Sequence, residues 1–194
     1  MALAPQYDFI ALADYLAGER EATIRSEYVN GLVYAMAGAS RTHNSITSSF
    51  LALIETQLKA ECRVWSADMK TVIQNKGQSF AYYPDIMATC SIRDEDEYIC
   101  TNPLFIVEVL SDSTERTDLK EKFDNYISIP SLLEYVVVSQ NVPLVRLWRR
   151  RTAWEQETYR ADDSFHLESI DLDVPVQYIY RRVRKEVGLD VSGE

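Results

Sequence analysis

Two acids and a lysine in this chain have the types and settings that metal-assisted phosphodiester hydrolysis needs. Asp85 lies in Tyr82-Tyr83-Pro84-Asp85-Ile86-Met87-Ala88, and Glu108 in Leu104-Phe105-Ile106-Val107-Glu108-Val109-Leu110. The second run is short, apolar and rich in β-branched and aromatic residues, the pattern of a buried strand. An ionised carboxylate there is costly to bury alone, so it must reach the strand's end, pair with a cation or bind a metal. Side chains alternate along a strand, so Ile106 and Leu110 share the face of Glu108. Asp85 follows a proline, which suits a sheet edge or bend; a strand-end ion pair with an arginine is the competing role. A hard cation such as Mg²⁺ would relieve repulsion between the two acids and retain waters, one of which is a candidate nucleophile.

The lysine belongs to a helix expected over about 117–127, ending before Pro130. Leu119, Phe123, Tyr126 and Ile127 form its apolar side, and Lys120 and Lys122 flank that stripe on opposite edges. Periodicity does not choose between them, and a side chain snorkelling at the helix border accounts equally for either. Asp118, Lys122 and Tyr126 lie one turn apart. Glu27 and His43 are further candidates, with cross-strand pairing and helix capping as their ordinary roles. Asp68 and Lys70 flank Met69 and belong either near the site or at a turn.

The elements that must position these groups follow from pattern. A short helix is expected over 8–18, ended by Gly18. Strands over 23–29 and 32–37 are joined by Asn30-Gly31, the strongest short hairpin signal. Ser40 or Thr42 caps a helix over about 41–60, whose apolar residues keep helical spacing. Strands follow around 63–66, 70–74, 81–90 and 104–110, then the 117–127 helix and a buried strand over 134–139. The 104–110 strand, the helix and the 134–139 strand form a parallel βαβ unit. Strands over 144–149, 153–159 and 164–168 continue as a meander, and 174–180 forms a short surface helix. The expectation is one α/β (α+β) domain over 1–194 with one central sheet and a frayed tail over 183–194.

Composition narrows the classes. With 194 residues and 46% hydrophobic content, the chain can build one core. No run reaches the ~20 apolar residues of a membrane helix, and no secretory signal is evident. Three cysteines, Cys62, Cys90 and Cys100, have no metal-ligand spacing, and their odd number argues for reduced thiols in a cytoplasmic protein. Six glycines and two histidines leave little room for a phosphate-binding glycine loop, a serine triad or a zinc cluster. The net charge of −10 runs against nucleic-acid binding. Two basic clusters, Arg149-Arg150-Arg151 and Arg181-Arg182 with Arg184-Lys185, are either phosphate contacts or solvated faces.

The blocks YYPDIMATC, LFIVEVLSDST and TDLKEKFDNYISIPSLLEYVVVSQ, preceded by His43-Asn44-Ser45-Ile46 at a helix start, resemble a family. It is the restriction-endonuclease family called Uma, in the PD-(D/E)XK nuclease superfamily, and the likeness spans about residues 10–180. The resemblance implies a restriction-endonuclease-like fold, a central mixed β-sheet flanked by helices, with an N-terminal β-hairpin and helix. It also implies metal-dependent phosphodiester cleavage as the ancestral chemistry. By position Asp85 matches the PD acid and Glu108 the second acid. The superfamily's lysine usually stands two residues after that acid, where this chain has Leu110. The D-x-x-E-K wording of Asp118 to Lys122 instead points to Lys122 on the following helix. Ser111, Ser113 and Thr114 fall in the family's loop, with Asp112 where proline is commoner. Glu27 and His43 match the family's usual Glu and His and border the site with Asp118.

The reading that results is a Mg²⁺- or Mn²⁺-dependent endonuclease acting on DNA, with RNA left open. Asp85, Glu108 and the Val109 carbonyl would hold the metal, and Lys122 would orient water or neutralise charge. A homo-oligomer, a dimer by analogy with enzymes that cut both strands, is expected, with the aromatic C-terminal part serving as interface or as core. The rival is a degenerate nuclease fold that binds or regulates without catalysis, favoured by the acidity and the missing E-x-K lysine.

Overall fold

Asn30 and Gly31 take positive φ values of 44° and 99°, as a tight two-residue hairpin turn requires. They join β1 (Ser26–Val29) to β2 (Leu32–Ala35), in antiparallel register from Ser26 opposite Ala35. The computed structural model that places them describes residues 9–91, 96–110 and 118–189. After α1 (Leu12–Glu21) and this hairpin come α2 (Arg41–Glu55), β3 (Arg63–Ser66), β4 (Thr71–Asn75), β5 (Gln78–Tyr82), β6 (Ile86–Thr89) and β7 (Phe105–Leu110). Then follow α3 (Asp118–Tyr126), β8 (Glu134–Ser139), β9 (Leu144–Arg149), β10 (Gln156–Arg160), β11 (Ser164–Leu167), β12 (Leu172–Pro175) and α4 (Val176–Ile179). Among the described residues one sheet runs β2-β1-β5-β4, a second β10-β9-β8-β7-β6-β3, and a third pairs β11 with β12. The β7-α3-β8 unit is parallel, as expected, and its sheet partners on either side are antiparallel. The class is mixed α+β, as the residue patterns imply.

The single strand expected over 81–90 is two strands in two sheets. β5 ends at Tyr82, and Pro84, lacking an N–H, cannot continue a ladder. Tyr83-Pro84-Asp85 therefore carries the chain from the four-stranded to the six-stranded sheet, and the expected single central sheet is divided. Asp85 stands at this junction. Alternation along β7 sends Phe105, Val107 and Val109 into the cluster beneath Ile46, Phe50 and Ile54 of α2. Ile106 and Glu108 face the other way, toward Tyr126 and Phe123 of α3, which pack there with Met87, Tyr135 and Trp148.

Other expectations are corrected. Helix α1 runs through Gly18 to Glu21, because Glu19 is anchored at its far end. Its carboxylate accepts from the Ser26 N–H at 2.8 Å and the Tyr83 hydroxyl at 2.9 Å, offsetting the roughly 1 kcal/mol helix penalty of glycine. β11 leaves the meander to pair with β12. Val174, Val176, Ile179 and Tyr180 are buried, so residues 174–180 are not a surface helix. Val183 and Val187, four residues apart on one side of the chain, are also buried in the core, where fraying was expected; residues 190–194 lie outside the described ones. Trp148 and Tyr180 complete the core as well.

Cys62 and Cys90 form a disulfide, against the expectation of reduced thiols. The register of β3 on β6 explains it: Arg63 faces Thr89 and Val64 faces Ala88, so the next pair outward is Cys62 with Cys90. Sequence spacing carries no trace of that pairing. Cys100 is buried apart from it. Arg149 is buried rather than solvated, paired with Glu134 at 3.4 Å, Glu168 at 3.3 Å and Glu157. Arg150 donates to the carbonyls of Leu132 and Ile129, so these two arginines serve the fold, while Arg151 is exposed and pairs with Glu168. Among the described residues no helix is long and apolar enough to cross a membrane.

Candidate active site

The N-terminus of α2, the bend before β6, the end of β7 and the middle of α3 meet at one place. Ser40 caps α2, its hydroxyl accepting from the His43 N–H at 3.0 Å. That cap fixes the first turn, from which His43 Nε2 reaches Asp85 Oδ2 at 3.0 Å. The same Oδ2 accepts from the Val109 backbone N–H at 2.7 Å. An ionised carboxylate only accepts, so the imidazole donates through Nε2. Burial disfavours the charged imidazole, but the bond to Asp85, its charge and that of Glu108 outweigh burial and raise the His43 pKa. Its other nitrogen, Nδ1, is buried with no partner among the described residues. Ser40→Ala is expected to cost about 1 kcal/mol of stability, measured by urea unfolding, and to loosen the His43–Asp85 contact.

Glu108 is buried, at 3% exposure, and lies one residue from the N–H that holds Asp85. Its Oε1 accepts from the Tyr126 hydroxyl at 2.8 Å and lies 3.6 Å from Lys122 Nζ. Lys122 donates to Glu27 Oε1 at 2.7 Å and sits over the Tyr82 ring. Burial pushes the Glu108 carboxyl up to about 7; Lys122 pulls against this, while the charges of Asp85 and Glu27 add to it. Burial works against the Lys122 ammonium, yet Glu108 and Glu27 more than offset it and hold the lysine protonated. Burial first, and then Glu108, raises the Tyr126 phenol well above its usual range. One cation thus serves a buried acid, Glu108, and a partly buried one, Glu27, with a third carboxylate at the same junction.

The structure brings together Asp85, Glu108, Lys122, Glu27 and His43. Lys120 is exposed, so of the two lysines that periodicity left level, Lys122 is the one at the acids. Asp118 opens α3, but its side chain, like Ser111, Asp112, Ser113 and Thr114, lies outside the described residues. Asp68 pairs with Arg25 at 3.1 Å, and Lys70 is buried against the rings of Tyr15 and Tyr83, away from these contacts. Sequence reasoning missed the Tyr126 hydroxyl as the donor to Glu108, although its helical spacing from Lys122 pointed the right way. It also missed the Val109 N–H, which no side-chain motif encodes. Tyr82 bonds Glu121 at 3.1 Å and Asn125 at 2.8 Å, bracing the ring beneath Lys122.

Mg²⁺ is held by hard oxygens, often only one or two carboxylates with water and substrate completing the shell. Asp85 and Glu108 supply that donor type, and three carboxylates beside one ammonium leave negative charge for a cation to neutralise. Among the described residues no group of three or more His, Cys, Asp or Glu is arranged to hold a metal by itself.

A family model described as "Uma2: Putative restriction endonuclease" matches residues 12–177. The chain belongs to the Uma2 family. The chain is 34% identical over 172 residues to the uncharacterized protein slr1290 of Synechocystis, covering 87% of this chain and 90% of that protein. It is 33% identical over 135 residues to a second Synechocystis protein, the uncharacterized sll1609, covering 68% and 75%. A crystal structure of a "putative nuclease belonging to DUF820" from Anabaena variabilis superposes with a TM-score of 0.72 at 17% identity, covering 89% of this chain and 98% of that one. That likeness establishes a shared fold.

Proposed function

We propose that this Uma2 protein is a divalent-metal-dependent endonuclease that hydrolyses DNA phosphodiester bonds. The observation that carries the reading is the convergence of Glu108 and Lys122 at 3.6 Å, beside an Asp85 held by the residue next to Glu108. Family membership and the shared fold support the same chemistry. Asp85 and Glu108 are the metal-binding carboxylates of this proposal, with the Val109 carbonyl as a third ligand. When bound, Mg²⁺ or Mn²⁺ supplies Lewis-acid neutralisation of the phosphoryl oxygens and a water acidic enough to attack at neutral pH.

The chain's own groups do the rest. The Val109 N–H and His43 fix one oxygen of Asp85, so its carboxylate is oriented before substrate arrives. Tyr126 fixes Glu108 Oε1 in the same way. Lys122, kept charged by two acids, lies where it can neutralise charge that grows on the phosphate in the transition state. Glu27 holds the ammonium in place through its 2.7 Å bond. A homodimer is part of the proposal, because cutting both strands of a duplex suits two-fold symmetry.

The rival reading, a binding module that has lost catalysis, draws on the net charge of −10 and on the lack of a three-ligand cluster among the described residues. Titration calorimetry with Mn²⁺, paired with a plasmid-nicking assay, separates the two. The nuclease reading expects saturable Mn²⁺ binding that Asp85→Asn abolishes, and metal-dependent nicking. No heat at millimolar Mn²⁺ together with intact plasmid would overturn it in favour of the binding module.

A further inference from the structure

A groove of about 290 Å³ runs between α2 and the segment after α4, lined by Asn44, Ser45, Ser48, Ser49, Arg181 and Arg182. Its composition is unusual for this acidic chain: two guanidinium groups, three hydroxyls, one amide and no carboxylate. Asn44 and Ser48, and likewise Ser45 and Ser49, stand one turn apart on α2, so the polar groups form two rows along the helix. The opposite wall is fastened. Arg181 donates through Nη1 to the Ser49 carbonyl at 3.3 Å and to the Tyr178 carbonyl at 2.9 Å, with its guanidinium 3.6 Å over the Tyr178 ring. Both bonds use Nη1, one end of a fork that carries five N–H donors. Arg182 follows it in the chain and is exposed to solvent.

The Tyr180 hydroxyl, next in sequence to Arg181, donates to the Ser139 carbonyl at 2.7 Å. Ser139 ends β8 opposite Leu110, two residues beyond Glu108. On the other wall, Asn44 follows His43, which touches Asp85. The chain that forms each wall is thus tied to the neighbourhood of the site, by the Tyr180 bond to Ser139 on one side and the His43 bond to Asp85 on the other.

We infer that this groove binds the phosphate backbone of duplex DNA and leads it to the Asp85–Glu108 junction. Hydroxyls, amides and arginines are the side chains that position a duplex through its phosphates without reading sequence, and the planar fork of arginine matches phosphate oxygens. A local basic strip on an acidic molecule orients the polyanion, because the remaining surface repels it. The inference rests on the nuclease reading for its substrate, but the groove itself is tested by binding alone.

The test uses the full chain and a fluorescein-labelled duplex of about 20 base pairs, without divalent metal, across a salt series. Arg182→Glu and Ser48→Glu are each expected to weaken binding at least tenfold. The slope of log affinity against log salt is expected to fall by about 1 for each phosphate that the variant no longer neutralises. Arg182→Ala moves both in the same direction by less, and circular dichroism verifies the fold of each variant. Asp85→Asn is expected to bind at least as tightly as the unaltered protein. If the protein binds DNA but the groove variants keep its affinity and slope, the groove is overturned and the nuclease reading stands. If binding depends on the groove but metal never elicits cleavage, the nuclease reading fails and the groove stands. No binding of the duplex, or tighter binding of the same sequence as RNA, overturns the DNA assignment.

Discussion

Asp85→Asn and Glu108→Gln are each expected to lower metal-dependent plasmid cleavage by on the order of 10³-fold while leaving the fold intact, the scale on which single groups that stabilise transition-state charge act. The amide that replaces the Asp85 carboxylate keeps an oxygen to accept the Val109 N–H. The amide that replaces the Glu108 carboxylate keeps one for the Tyr126 hydroxyl, so the hydrogen bonds that hold the junction survive. What is lost is the charge that binds a cation. Stability supplies an independent readout for Glu108. Its folded pKa is raised to about 7 by burial, so between the ordinary carboxylate value and about 7 the folded state binds more protons than the unfolded chain. Stability from this group is therefore full at low pH and declines as pH rises through that window. Glu108→Gln removes the decline, so its melting temperature relative to the unaltered protein should rise from about pH 4.5 to about pH 8. Undiminished cleavage in both variants removes the metal assignment; a pH-independent difference in melting temperature removes the account of Glu108 burial.

Lys122→Met is expected to damage both cleavage and stability. The ammonium is the shared partner of Glu108 and Glu27, and its side chain is 15% exposed against 4% for Glu108. Methionine keeps the stem against Tyr82 but leaves two carboxylates in a poorly solvated place. Removing one partner of a buried pair costs about 3 to 5 kcal/mol, and the exposure of Glu27 puts this case at the low end. The cost should be largest at about pH 8 and shrink toward about pH 5, because Glu108 can then take up a proton. Cleavage is expected to fall by roughly 10²-fold as transition-state charge goes unmatched. Lys122→Arg restores the charge but spreads it over a planar group, and is expected to recover stability more than rate. Single-turnover cleavage and urea unfolding at both pH values measure this. Full activity in Lys122→Met would show that the lysine only serves the fold.

Much of the site was legible because its parts announce themselves locally. An acid inside an apolar strand such as Phe105–Leu110 violates the pattern around it, and such violations mark functional or strained places. The hairpin at Asn30-Gly31, the cap at Ser40 and the βαβ unit follow from backbone preferences and periodicity within a few residues. The choice of Lys122 over Lys120 did not follow from periodicity, since both flank the apolar stripe; it came from family likeness, and the structure places Lys122 with the acids.

The amino-acid sequence by itself determined the mixed fold, the acid within β7 and the helix that bears the lysine, because each depends mainly on interactions within one element. Only the tertiary structure decided the division into two sheets at Pro84, the Cys62–Cys90 disulfide, the burial of Arg149 and of Val183 and Val187, and the groove beside α2. Those outcomes depend on which strands pair and in what register, a property of residues far apart in the chain. The same holds for the junction itself: Asp85 and Glu108 are 23 residues apart, and they meet because β6 pairs with β7 and the Val109 N–H holds the bend.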